Sequence, residues 1–433
     1  MHHSPKTALT GWPATMGRRR FRVNGATLVS RVPECGWPFP LPLFGATANT
    51  IGGTTTGAGN TIADNNSGGL DIGFSGASGN LVEGNFIGTN AGGATGLGNA
   101  LVGVTIFGGA TANTIGGTTT GAANTIASNG AGGVDIENSG TSGNVIEGDF
   151  VGTDASGDTG LGNSGDGVQI LGGASDNTIG GTTTGAANMI AFNGAGVGIT
   201  DSGTSGNLVQ GNVISGNQGD GVDITGGAST NVIAGNQIGV NSAGNATVAN
   251  GGSGIVISGA SDNTIGGATS GEGNVISANA NYGVWITGTG STGNAVEGNE
   301  NGTDASGTVA LGNDYDGVAI DSGATDNTIG GTSTGAGNVI SGNNQYGVFI
   351  GDTGTSQNVV AGNLIGTDVS GTVALANGYG GVLVYDGAST NIIGGTVAGA
   401  GNVISGNGGI GVNIYGSTSS DDQVVGNLIG TNP

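Results

Sequence analysis

The sequence predicts an all-β chain wound as a right-handed parallel β-helix, a solenoid of about 12 turns with three short strands per turn. Three observations carry this. A ten-residue phrase, "NTIGGTTTGA", is written at Asn49, Asn113 and Asn177. Between its copies runs a second phrase of the form Asn-x-Val/Ile-x-Gly, at Asn80, Asn144, Asn207, Asn294 and Asn358. Every interval between successive phrases holds three apolar pieces of two to four residues, separated by Gly, Asn, Ser and Thr.

The period decides the class. With 101 Gly and 7 Pro in 433 residues, the composition borders on low complexity, but low complexity has no fixed aliphatic positions. Successive phrases lie 24 to 33 residues apart, and a 64-residue unit is two turns of one coil. The turn beginning at Asn207 is the shortest, with pieces "NLV", "NVI" and "GVDI". Longer turns add "GTTTGAG" or segments such as "GTDASGDTGLG" without disturbing the apolar phase, so these are loops. Gly at this density is costly in helix interiors and supplies the positive φ of tight corners. A connection returning to a parallel strand is normally right-handed. Ile51, Val82, Ile115, Ile146, Ile179 and Val209 are expected to stack as one aliphatic column. The repeated Asn is expected in a left-handed corner conformation, its amides forming a ladder from turn to turn. At about 4.8 Å per turn, twelve turns make a rod about 58 Å long.

Residues 1–44 form a different unit, and 45–433 a single β-helix domain. The first segment holds six of the seven prolines, both histidines and all six Lys/Arg residues. It reads as an atypical leader or non-native start, expected to be poorly ordered: Arg31 and Pro33 interrupt any apolar region a signal peptide needs. At the other end the chain stops at "GNLIGTNP", partway through a turn. This predicts truncation of the coil there, or association end to end or within a larger protein.

Charge narrows the partners. After residue 44 there are acids and no base, within an overall formal charge of −23. Such a surface repels phosphate backbones and anionic lipid, which excludes nucleic acid as a partner. No apolar stretch is long enough for a membrane-spanning helix. The single Cys35 forms no internal disulfide and fits no zinc spacing.

"GNVISAN" at Gly273, "GNVISGN" at Gly337 and Gly401, "GNLIGTD" at Gly362 and the recurring "GVxI" resemble the right-handed parallel β-helix repeats of secreted and surface proteins. They are also similar to the pectate-lyase-like and NosD-type repeat families. The resemblance covers residues 45–433 and implies the fold. Family enzymes of the lyase design use a basic side chain, often with calcium; from residue 32 onward this chain has no Arg, Lys or His. The NosD-type resemblance implies copper, which needs soft or imidazole ligands, and the coil offers only Met189.

Two sets of carboxylates remain. Asp314 and Asp316 in "NDYDG", near Asp352 and Asp386, are the candidate pair for hydrolysis of a polysaccharide, one acid and one base. The plainer reading is that they are solvated corner residues. Asp154, Asp304 and Asp368 recur in "GTD" loops, with Asn90 and Asn241 at equivalent places, and are the candidate calcium ligands; no other cofactor is expected.

Aromatic residues supply the remaining asymmetry. Tyr282, Tyr315, Tyr346 and Tyr379 precede "GVxI" strands on four consecutive turns, and the x positions there include Trp285 and Phe349. The matching early positions are Asp71, Thr105, Asp135 and Gln169. A row of rings flanked by carboxylates reads as a sugar-stacking platform, against the simpler reading that rings ladder on one another. The expected function is a non-catalytic extracellular or cell-surface stalk or adhesin segment that contacts a polysaccharide or cell-surface glycan, with a polysaccharide hydrolase as the alternative. Lastly, Glu300-Asn301 replace an apolar strand pair, which predicts a defect or outward bulge in that turn.

Overall fold

The computed structural model describes residues 40–430. Among them there is no helix; the chain forms three parallel sheets of 13 strands each. The first sheet runs from Leu41–Phe44 to Ile410–Tyr415, the second from Thr50–Gly52 to Gln423–Val425, the third from Thr61–Ile62 to Leu428–Ile429. Each turn visits the three sheets once, and turns are numbered here by their first-sheet strand. The coil takes in Leu41–Phe44, which pairs with Leu70–Gly73, four residues before the boundary expected at 45. Most of the leader lies outside the described residues.

Alternation within the strands explains the packing. In Val134–Glu137, Val134 and Ile136 face inward and are fully buried, while Asp135 and Glu137 face out. The expected column is present: Ile51 is in register with Val82, Val82 with Ile115, and so on through Ile146, Ile179 and Val209. Each fully buried Ile or Val contributes about 1.5–3 kcal/mol of transfer free energy. Two such columns from the first sheet and one from each of the others suffice for a core without aromatics.

The corners are held by asparagine. From Asn49 through Asn80 and Asn113 to Asn391 and Asp422, each Nδ2 donates to the next turn's Oδ1. The same Oδ1 accepts the preceding turn's backbone N–H. The left-handed conformation expected at the Asn falls instead on the residue before it, such as Ala48, Ala112, Asp176 and Thr230, or Gly79 and Gly143. The Asn is thereby free to point its amide inward. Two further ladders run beside this one, from Asn60 and Asn85 to Asn427, and from Asn65 and Asn99 to Asn407.

The bulge expected at Glu300-Asn301 does not form. The strand keeps register with Val275-Ile276 on one side and Val339-Ile340 on the other. Asn301 takes the core position and is 1 % exposed. Its Nδ2 donates to the Gly317 carbonyl at 2.8 Å, and its Oδ1 accepts from Asn313 Nδ2 at 3.0 Å. A buried amide with both ends paired costs little, so backbone pairing prevails over the side-chain mismatch.

Candidate functional site

The outer face of the first sheet changes character along the rod. Register places Asp71, Thr105, Asp135, Gln169, Gly198, Asp223, Val256, Trp285, Ala319, Phe349 and Leu383 in one outward column. The early half is acidic. Burial against neighbouring turns pushes Asp71 up to about 6, Asp135 to about 7 and Asp223 to about 6, and Asp166 and Asp220 also rise through burial. Asp166, Asp220 and Asp223 were not among the residues the sequence singles out, although the two-residue alternation marks Asp223 as outward.

The late half is apolar and aromatic. Ala319 is fully covered and Leu383 is 9 % exposed despite facing outward. Trp285 is fixed: its Nε1 donates to Asp321 Oδ2 at 2.9 Å, and Tyr282 lies against it at a centroid distance of 5.3 Å. Phe349 lies over Gly351, where a Cβ would fall 2.3 Å from the ring, so only glycine admits this pose.

The four tyrosines do not form the single row expected from sequence. Register aligns Tyr346 with Gly380, and the Val318–Val348 and Val284–Val318 pairings set Asp316 level with both Tyr346 and Tyr282. Tyr315 and Tyr379 sit one position earlier on their turns. The rings therefore meet in diagonal pairs: Tyr282 with Tyr315 at 5.4 Å, Tyr346 with Tyr379 at 5.8 Å. Tyr315 and Tyr379 are 42 % and 59 % exposed. Tyr385 and Tyr415 stack in parallel at 5.8 Å at the far end of the strands, where each closes a "GVxV/I" run.

Asp314 and Asp316 flank Tyr315 in the corner that Asn301 holds from inside. Asp316 is buried, accepts the Tyr346 N–H at 2.8 Å, and is pushed up to about 6 by burial. Asp314 is exposed and accepts from Asn344 Nδ2. Asp352 and Asp386 occupy positive-φ corners beyond the strands.

The "GTD" loops use their carboxylates internally. Asp154 Oδ1 accepts from the Ser156 hydroxyl at 2.6 Å and from the Ser156 and Thr159 N–H groups. The Ser156 bond, with those to Thr159, holds this carboxyl well below the usual range. Asp304 is opposed by burial, yet bonds from Ser306, Val309 and Thr308 lower it on balance. Asp368 is lowered by the Val373 N–H, Ser370 and Thr372. Asn90 and Asn241 close the equivalent loops through Oδ1 in the same way. The structure does not bring Asp154, Asp304 and Asp368 together, and among the described residues no group of three or more His, Cys, Asp or Glu is arranged to hold a metal ion. Loops of turns 7, 9 and 11 stack through Ala305 N–H to Gly244 O and Val369 N–H to Gly307 O. Beneath them burial pushes Glu300 up to about 7. The earlier loops leave an open pocket of about 220 Å³ lined by Phe86, Asn90, Thr125, Asp154 and Ser156.

With this geometry in place, the chain can be set beside known proteins. A family model described as a right handed beta helix region matches residues 108–301, in line with the handedness expected from the connections. A comparison with curated proteins finds no match. Among solved structures, a periplasmic alginate epimerase mutant aligns at 14 % identity and TM-score 0.43, over 89 % of this chain and 76 % of that one. The A-module of a mannuronan C-5 epimerase from Azotobacter vinelandii aligns at 15 % identity and TM-score 0.30, over 88 % and 91 %. A DFA-IIIase from Arthrobacter chlorophenolicus, without its lid, aligns at 12 % identity and TM-score 0.30, over 83 % and 89 %.

Proposed function

We propose that this right-handed parallel β-helix is a non-catalytic extracellular or cell-surface scaffold, a stalk or adhesin segment, that holds glycans against the aromatic face of turns 9 to 12. The observation that carries this reading is the pairing of a fixed ring with an exposed one. Trp285 and Tyr282 are pinned by Asp321 and by each other, while Tyr315 stands outward against them. Flat rings that are already ordered lose little entropy when a pyranose face stacks on them. Neighbouring carboxylates accept hydrogen bonds from sugar hydroxyls.

A hydrolase using Asp314 and Asp316 is the competing function. One observation favours it, the raised carboxyl of Asp316, which suits a general acid. Two weigh against it: Asp316 is buried, and one oxygen is already taken by the Tyr346 N–H.

The test is retention of the full chain on immobilised neutral and acidic polysaccharides, with release of new reducing ends measured in parallel. Retention that is lost in Trp285→Ala, with melting unchanged, supports the scaffold reading. No retention on any polysaccharide defeats the glycan contact. New reducing ends that vanish in Asp314→Ala or Asp316→Asn defeat the non-catalytic role.

A further inference from the structure

We infer that the aromatic face takes an uncharged polysaccharide laid along the rod axis and read in steps of two turns. This rests on the glycan-contact reading above and adds the ligand's direction, repeat and charge.

The direction and repeat come from duplication. Tyr282 and Tyr346, Trp285 and Phe349, and Tyr315 and Tyr379 are each separated by 64 residues. Register confirms that Trp285 and Phe349 occupy the same column with Ala319 between them. Two turns of a parallel sheet span about 10 Å. The face therefore carries the same two elements twice, a ring on the column and a diagonal tyrosine pair, although the first ring packs on Tyr282 and the second lies over Gly351. Ala319, small and fully covered, leaves a low rung between the two ridges. An extended β-linked pyranose chain turns the same face outward every second sugar. A chain lying along the axis offers matched faces to Trp285 and Phe349 together, whereas a chain lying across the axis meets one of them only.

The charge comes from what the face lacks. No Lys, Arg or His occurs after residue 31, so no cation is available for a uronate or sulfate. Asp314 is exposed beside Tyr315 and Asp321 lies next to Trp285, and a polyanion would meet their negative charge with no cation to offset it. Hydroxyl groups meet no such penalty.

The probes are β-1,4-linked gluco-oligosaccharides of two to six residues and oligouronates of equal length, titrated calorimetrically into the full chain. Two linked contacts behave as a bivalent ligand. Affinity is expected to rise at least tenfold between the disaccharide and the oligomers that reach both ridges. Phe349→Ala is expected to return the hexamer to the disaccharide's affinity. Oligouronates are expected to bind at least tenfold more weakly. Equal affinity at every length, or uronates binding as tightly as glucans, overturns the inference. A flat length series that still depends on Trp285 sinks this inference alone; absence of any Trp285-dependent binding sinks the glycan-contact reading with it.

Discussion

Replacing Asp149 by Asn is expected to stabilise the protein at neutral pH, by an amount that the second corner ladder sets. Asp149 stands where the turns on either side have Asn124 and Asn188. Its Oδ1 accepts from Asn124 N–H at 2.7 Å and Nδ2 at 3.0 Å, as an amide oxygen would. Its Oδ2 is buried without a partner, in the place where other rungs have a donating Nδ2. Burial, outweighing the Asn124 bonds, pushes this carboxyl up from 3.8 to about 8. The folded value lies above the unfolded one, so folding takes up a proton. The stability of the neutral acid is fully present below about pH 4 and is lost as pH rises through about 8. Each pH unit in that window costs about 1.4 kcal/mol, so on the order of 4 kcal/mol has gone by pH 7. Asn supplies the missing donor without a titration. Urea midpoints of the wild type and Asp149→Asn, compared from pH 4 to pH 8, should diverge steadily with pH and nearly coincide at the acid end. Because the other acids are common to both chains, the difference isolates residue 149. A gap independent of pH, or a wild type more stable than the variant at pH 7, would refute the reasoning.

Two further outcomes follow from the same accounting. Asn301→Ile should raise stability by about 1–2 kcal/mol in thermal melting, since it restores the aliphatic column. The cost is small because Gly317 O keeps the Val284 N–H and Asn313 Nδ2 keeps Asn343. A loss of stability would show that the buried amide is needed to hold the Asn313–Gly317 corner. Asp154→Asn should leave melting and loop amide exchange unchanged, because Asn90 and Asn241 already close equivalent loops; Asp154→Ala should speed exchange of the Ser156 and Thr159 amides. Faster exchange in the Asn variant would mean that the loop needs the charge.

Much of this molecule follows from local repetition. The column of Ile51, Val82 and Ile115, the loops inserted as "GTTTGAG", and the first asparagine ladder are legible because each turn repeats the same spacing, and a strand's two-residue alternation fixes which side chains face inward. The other two ladders also left a signal. Asn precedes every third-sheet strand except Phe150–Val151, where Asp149 stands, and Asn stands five residues before the first core residue of most first-sheet strands, as Asn65 does before Leu70 and Asn313 before Val318.

The sequence by itself therefore determined the coil, its three strands per turn, its core columns and the shift from acidic to aromatic along one face. What only the tertiary structure decided was how neighbouring turns align. The one-position offset of Tyr315 and Tyr379 from the strand is written in the sequence, but it is the registration of neighbouring turns that turns the expected row into diagonal pairs with Tyr282 and Tyr346. The same alignment kept Glu300-Asn301 in the sheet, since backbone pairing on both sides and two hydrogen bonds to Asn301 compensate for the missing apolar side chains. Spacing along one turn is a property of that turn's residues, whereas registration between turns depends on hydrogen bonds to chain 24 to 42 residues away.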